Sequence, residues 1–344
     1  MVFTEAEVDE IRAECFANDV TYNYAVVKDW DEDKIREFFE SGGGGEGSAE
    51  PAAVDVSEAN PFEAQMPKEV LFRVNAEQSV AVITLNRPDA KNAMNDELTA
   101  GLALAIARIR ATPSVRVCFL TGSGAMFCAG GDPKSFQEAQ QQGMAANGAG
   151  STDKNAEGAQ KFAQFLDALN SLPCYVVGLA NGSAMGGGFG LLCCCDCVFA
   201  RKSAFFALSE VKLGVIPATI SPYVVARIGP ANARRMFMTG ETINAEKAVQ
   251  IGLVQEIFAT PEELIKKAQD VCDVLTAAAP GAVRASKRLV ANVQYKPITA
   301  ELQAYTAEQL AQVRMSDEST AGMLAVQTGK KPPWSLTQMK FPPA

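Results

Sequence analysis

An α/β fold with a largely parallel sheet is predicted by three features of the chain. Between about residue 68 and residue 230, strand-like apolar runs alternate with helical patterns. Such βα units pair their strands in parallel. The run VRVCFLTG is apolar without alternation, as a strand covered on both faces requires. Beyond residue 230 the helical patterns follow one another, which predicts a wholly helical C-terminal region.

Taken in order, residues 4–18 read as a helix, with a capping-box pattern at Thr4 and Glu7 and a shared face at Val8, Ile11 and Cys15. A short helix, DEDKIREFF, follows, and then the Gly-, Ser- and Ala-rich stretch 41–61, which reads as a flexible linker. Gly42, Gly44 and Gly47 match GxGxxG there, but no strand precedes them and no helix follows, so a dinucleotide site is excluded. EVLFRVNAEQSVAVITLN reads as a hairpin, and NDELTAGLALAIARI as an amphipathic helix capped by Asn95. VRVCFLTG is the next strand, 138–155 reads as a mobile loop, 156–171 as a helix and CYVVGLANG as another strand. The C-terminal region comprises ETINAEKAVQIGLV, PEELIKKAQDVCDVL and two further helices. The expected organisation is an acidic extension with linker (1–67), a globular domain that includes the C-terminal helices (68–335), and a tail (336–344).

Composition narrows the function. The 48% hydrophobic and 21% charged fractions suit a soluble globular protein. No run of about 18 apolar residues predicts a membrane span. A net charge of −9 argues against nucleic acid or an anionic membrane as partner. The N-terminus is acidic and lacks an apolar signal core, so a cytoplasmic location is expected, with the nine cysteines reduced. There are no histidines. That removes Ser-His-Asp and Cys-His catalysis and imidazole metal ligation, leaving acid–base work to carboxylates, Lys, Tyr, Cys or backbone dipoles.

Two glycine turns, FCAGGD (127–132) and GSAMGGGFG (182–190), each follow a strand and leave backbone N–H groups bare. One donor from each would make an oxyanion hole; close helix–sheet packing would equally demand glycine. Neither turn has the GxxxxGK[ST] pattern of a phosphate loop. Glu210 lies in the apolar segment FFALSEVKLGVIPA, surroundings that raise a carboxyl pKa and suit a general acid or base; an exposed side chain, or one salt-bridged to a neighbour such as Lys212, is the plainer role. Cys193, Cys194, Cys195 and Cys197 suggest a metal, but consecutive helical positions point about 100° apart and cannot wrap a tetrahedral ion. Small buried side chains under a helix are expected instead, and no metal.

The ordered motifs VAVITLNRPDAKNAMN, FCAGGD, GSAMGGGFG, FALSEVKLGVIPATISPYV, TGETINAEKAVQIGLV and SDESTAGMLAVQTGKKPPW resemble the enoyl-CoA hydratase/isomerase (crotonase) superfamily across about 68–335, most closely its methylglutaconyl-CoA hydratase-like branch. The resemblance implies a ββα-repeat core that binds an acyl-CoA thioester, with coenzyme A as part of the substrate and no separate cofactor. It places the N–H groups of Ala129 and Gly187 on the thioester oxygen, with Gly130 and Gly186 beside them, and Lys91 and Lys134 near the CoA. Glu210 becomes the acid/base, with Asp132, Ser209 and Ser221 as candidates for orienting water. Trimers or hexamers are implied. Many hydratases of the superfamily carry a second glutamate at the position of Gly190, and its loss here leaves a gap open to water or a substrate branch. Hydration of a branched enoyl-CoA is the leading expectation. The alternatives are a Δ3-Δ2 enoyl-CoA isomerase, a carrier-protein-linked dehydratase or a non-catalytic acyl-CoA-binding protein.

Overall fold

The computed structural model describes residues 66–135 and 149–342, without the side chains of 149–155. The two helices expected before residue 41, and the linker after them, lie outside the described residues.

Two sheets form the core. The larger has the order β1-β2-β3-β5-β7-β10, from β1 (Val70–Val74), β2 (Val80–Leu85), β3 (Val117–Gly122), β5 (Tyr175–Ala180), β7 (Cys197–Arg201) and β10 (Glu256–Phe258). The smaller runs β4-β6-β8-β9, from β4 (Met126–Cys128), β6 (Ser183–Met185), β8 (Phe205–Ala207) and β9 (Thr242–Asn244). Among the described residues only the hairpin β1/β2 and the pair β8/β9 are antiparallel. The successive pairs β3/β4, β5/β6 and β7/β8 each give one strand to each sheet before the next helix, which is the expected ββα repeat. The hairpin turn is tied by the Asn75 side-chain oxygen, which accepts from the N–H groups of Ser79 and Val80.

Helix α1 (Asp96–Arg110) starts where the sequence places it, with the Asn95 side chain accepting from Leu98 N at 3.1 Å. Helix α2 (Ala149–Asn170) begins within the stretch expected to be a loop, so part of that expectation is corrected. Helix α3 (Gly187–Cys193) carries the glycine run. Helices α4 (Ser221–Thr239), α5 (Ala245–Gln250) and α6 (Pro261–Leu275) follow. The expected all-helical C-terminal region is also corrected: β9 and β10 interrupt it, each only three residues long and too short to show a period. Beyond them stand three helices rather than two after PEELIKKAQDVCDVL: α7 (Pro280–Val293), α8 (Ala300–Arg314) and α9 (Asp317–Thr328).

The last residues pack on the body. Met339 is fully buried, and the Phe341 ring meets that of Phe119 edge-on at 5.0 Å. Gln269 fixes them, donating to Met339 O at 2.8 Å and accepting from Phe341 N at 2.9 Å. The four clustered cysteines do not share a helix. Cys193 ends α3, Cys194 caps it, Cys195 lies in the following turn and Cys197 opens β7; all are buried thiols, and burial pushes Cys195 up to about 12. No helix among the described residues is long and apolar enough to cross a membrane.

Candidate active site

The loop between β2 and α1 holds the first glycine turn in place. Asn92 is fully buried with φ 55°, and its Nδ2 donates to the carbonyls of Ser123 at 2.9 Å and Met126 at 2.8 Å. Its Oδ1 accepts from Arg87 N at 2.8 Å. A buried side-chain amide satisfied this fully fixes the backbone around it. The loop then runs beside 129–132 as a short ladder. Ala129 N donates to Lys91 O at 3.0 Å, Met94 N to Gly130 O at 2.7 Å, and Asp132 N to Met94 O at 3.0 Å.

This ladder corrects the expected donor. The N–H of Ala129 is spent on the Lys91 carbonyl and cannot serve a ligand. Because Gly130 O and Asp132 N face Met94, the N–H of Gly131 between them points away. Gly131 is exposed, and its N–H has no acceptor among the described residues.

The second turn supplies the complementary donor. Gly187 is the first residue of α3, a position with no intrahelical acceptor for its N–H. Gly130, at φ 94°, brings the turns together: a Cβ there would lie 2.9 Å from Met185 O and 3.5 Å from Gly187 N. Two bare donors, on Gly131 and Gly187, therefore flank the contact between the turns.

Glu210 begins a 3₁₀ turn (Glu210–Leu213) just after β8 and reaches back to this point. A Cβ on Gly186 would lie 3.1 Å from Glu210 Oε1 and 3.9 Å from the Gly130 Cα. Glu210 Oε2 is buried and has no hydrogen-bond partner among the described residues. Burial raises the carboxyl pKa, opposed only in part by the residue's own backbone N–H. The alternative ion pair with Lys212 is not formed among the described residues.

The other sequence candidates fare differently. Asp132 is committed: its Oδ2 accepts from Arg87 Nη1 at 2.9 Å and its Oδ1 from Lys134 N at 3.0 Å. Partial burial pushes its pKa up, but these two donors outweigh that and hold it below the usual carboxylate range. It orders the turn rather than a water. Ser221 Oγ donates to Ala218 O at 2.7 Å, so its proton is likewise spent. Ser209 is half-buried next to Glu210. Lys91 and Lys134 have exposed side chains, and what each gives the turn is backbone.

The gap expected at Gly190 is closed. A Cβ there would lie 2.2 Å from Ile220 Cγ2 and 2.7 Å from Ile220 Cβ, so a buried isoleucine fills the space of a second carboxylate. Sequence reading missed Gly131, Arg87, Asn92 and Ile220. For neither Gly131 nor Ile220 was there a signal within its own motif, because each depends on contacts with another element.

Comparison with known proteins finds one family across most of the chain. The family described as enoyl-CoA hydratase/isomerase matches residues 75–336. The 2,3-dehydroadipyl-CoA hydratase of Escherichia coli is 32% identical over 67% of this chain and 85% of its own length. The crotonyl-CoA hydratase of Syntrophomonas wolfei is 32% identical over 61% of this chain and 77% of its own. The crystal structure of an enoyl-CoA hydratase from Shewanella pealeana superposes with a TM-score of 0.74 and 29% identity, covering 80% of this chain and all of that one.

Proposed function

Because the chain belongs to the enoyl-CoA hydratase/isomerase family, we propose that it adds water reversibly to the double bond of an enoyl-CoA, with Glu210 as the acid/base. The observation that carries this reading is the buried, unpartnered Glu210 Oε2 beside two glycine turns with bare N–H groups. The N–H groups of Gly131 and Gly187 receive the thioester oxygen, where negative charge develops as the enolate forms; each such donor typically contributes 10²–10³-fold in rate. Ionised Glu210 takes a proton from water as its oxygen bonds to C3. The electron pair of the double bond moves onto the thioester oxygen, and Glu210 then returns a proton to C2 as the enolate collapses. One water is consumed and no redox change occurs. A raised pKa suits a group that must both accept and release a proton near neutrality.

A second reading, migration of a double bond, is favoured by Ile220, which removes the place of a second carboxylate. Incubation of the protein with crotonyl-CoA in ¹⁸O-labelled water separates the two. Hydration puts label on C3 of a 3-hydroxyacyl thioester. Migration of the double bond in a 3-enoyl thioester, with no label incorporated from either substrate, would replace hydration with isomerisation.

The implied trimer or hexamer is supported by apolar side chains left exposed on and beside the C-terminal helices, among them Ile298 at 84%, Met315 at 85% and Val326 at 80%. Light scattering of the full chain measures the stoichiometry. The resemblance implies further a branched, methylglutaconyl-like and hence acid-bearing acyl group, and here the walls of the site point elsewhere.

A further inference from the structure

We infer that Met94 and Phe162 form the wall that selects the acyl group, and that they select an uncharged, apolar acyl chain over one with a distal carboxylate. The inference rests on the thioester-binding reading above and deepens it. The named substrates of the relatives run from crotonyl-CoA to 2,3-dehydroadipyl-CoA, so family membership leaves the acyl group open. This chain's own walls decide it.

The key position is Gly187, whose N–H faces the thioester oxygen in the proposed function. A Cβ on Gly187 would lie 2.2 Å from Met94 Cε and 3.7 Å from Phe162 Cζ. The methyl end of Met94 therefore rests on the Gly187 backbone, with the edge of the Phe162 ring just behind it. An oxygen accepting from Gly187 N sits about 2.9 Å away, and its carbonyl carbon little more than one bond further on. These two side chains therefore stand within reach of the first atoms of the acyl chain.

Both are held in place. Met94 is 9% exposed, and its backbone is bonded on both sides to the first glycine turn, through Gly130 O and Asp132 N. It thus touches both turns at once, the first through its backbone and the second through its side chain. Phe162 stacks on Phe165 with ring centroids 5.8 Å apart, and Phe165 is buried at 3% exposure. The aromatic ring is a fixed surface, whereas the thioether end of Met94 is unbranched and adapts to what it meets.

The charge balance points the same way. Of the two cations of this loop, Arg87 is already used by Asp132 Oδ2 and the Ala93 carbonyl, and the Lys91 side chain is exposed. Glu210 adds a carboxylate within the site. A second carboxylate on the acyl chain would meet an apolar wall and a like charge, and a charge buried without a partner is strongly disfavoured.

The test uses the full-length protein and two sets of thioesters. Turnover is measured with crotonyl-CoA, 2-octenoyl-CoA, cinnamoyl-CoA and a glutaconyl-CoA. Binding is measured by calorimetry with the saturated, unreactive butyryl-CoA, octanoyl-CoA and glutaryl-CoA. The expected result is a kcat/KM, and an affinity, at least about tenfold higher for the apolar chains than for the carboxylate-bearing ones, since even one methylene in an apolar pocket is worth about tenfold or more. Met94→Ala should shift the kcat/KM ratio of cinnamoyl-CoA to crotonyl-CoA by a similar factor, with Met94→Leu close to wild type. Phe162→Arg should narrow the gap to glutaconyl-CoA. Glutaryl-CoA binding as tightly as octanoyl-CoA, or an acyl preference unchanged in Met94→Ala and Phe162→Arg, overturns the inference. A protein that binds octanoyl-CoA far above glutaryl-CoA yet turns over no enoyl thioester overturns the proposed reaction and leaves this inference standing.

Discussion

Replacing Gly190 by alanine tests the packing that excludes a second carboxylate. The new Cβ would lie 2.2 Å from Ile220 Cγ2 and 2.7 Å from Ile220 Cβ, well inside the roughly 3.5 Å at which carbon atoms attract. Neither partner has room to retreat. Ile220 is 2% exposed, and α3 is pressed on its other side against β4, where a Cβ on Gly188 would lie 2.6 Å from Cys128 O. Overpacking of this kind costs about 1–3 kcal/mol, and contacts this short belong at the upper end. At about 2–4 °C per kcal/mol for a domain of this size, Gly190→Ala should lower Tm by roughly 6–12 °C. Ile220→Gly removes both opposing atoms and costs stability itself through the lost burial. In the double variant the clash is gone, so its loss should fall short of the sum by about 1–3 kcal/mol. Urea unfolding of the four proteins measures that coupling. Strict additivity, or a Gly190→Ala protein as stable as wild type, would show that Ile220 does not fill the site.

Three further outcomes follow from the same geometry. Gly131→Ala should keep its turnover, because nothing lies within 4 Å of the new Cβ and the N–H is retained, whereas Gly187→Ala should lose about 10²-fold or more through collision with Met94; steady-state kinetics on crotonyl-CoA reads both. Glu210→Gln should abolish turnover yet stabilise the fold. A raised native pKa means that Glu210's contribution to stability is present below the unfolded carboxylate pKa and lost as pH rises through the native one, a loss that glutamine does not share, so urea midpoints of the two proteins should separate only as pH climbs through that window. Arg87→Gln should act at the other end of the scale: Asp132 is held below the usual range, so its contribution is present above the unfolded pKa and lost as pH falls, and the variant should be less stable than wild type near neutral pH, by a gap that closes as pH falls, while turning over more slowly.

Much of the fold was legible because its signals are local. A capped amphipathic helix such as α1, and apolar runs such as VAVITL, carry their own period, and the six motifs in order carry the ββα core. What was lost was short or non-local. β9 and β10 are three residues each and owe their strand geometry to β8 and β7 rather than to their own composition. Glu210 could be found because one carboxylate in an apolar segment stands out in a chain without histidine. The donor proposed as partner of Gly187 lies two residues beyond the expected Ala129, whose N–H is spent on Lys91 O. Which amide of FCAGGD is free depends on the pairing with Met94, from 35 or more residues away in sequence, and no pattern within the motif states it. The gap inferred at Gly190 failed for the same reason, since absence of a side chain says nothing about which neighbour moves in.

A single acid/base residue also constrains the stereochemistry of water addition. With two carboxylates, one group can position water while the other delivers the proton to C2. Here Ile220 occupies the place of the second, and the Asp132 carboxylate is tied to Arg87 and the Lys134 N–H. In the proposed hydration Glu210 would therefore both draw the proton from water at C3 and supply the proton at C2. Its side chain rises from one side of the glycine turns, from a 3₁₀ turn whose Gly214 cap fixes the backbone. The carboxylate spans little more than 2 Å between its oxygens, so both events must occur on the same face of a substrate pinned by its thioester oxygen. Addition should be syn. Hydration of crotonyl-CoA in deuterated water should give one diastereomer of the 3-hydroxybutyryl thioester, with deuterium at C2 and hydroxyl at C3 added to the same face, as proton coupling constants report. An anti product would require a proton donor on the opposite face, and the assignment of both transfers to Glu210 would then be wrong.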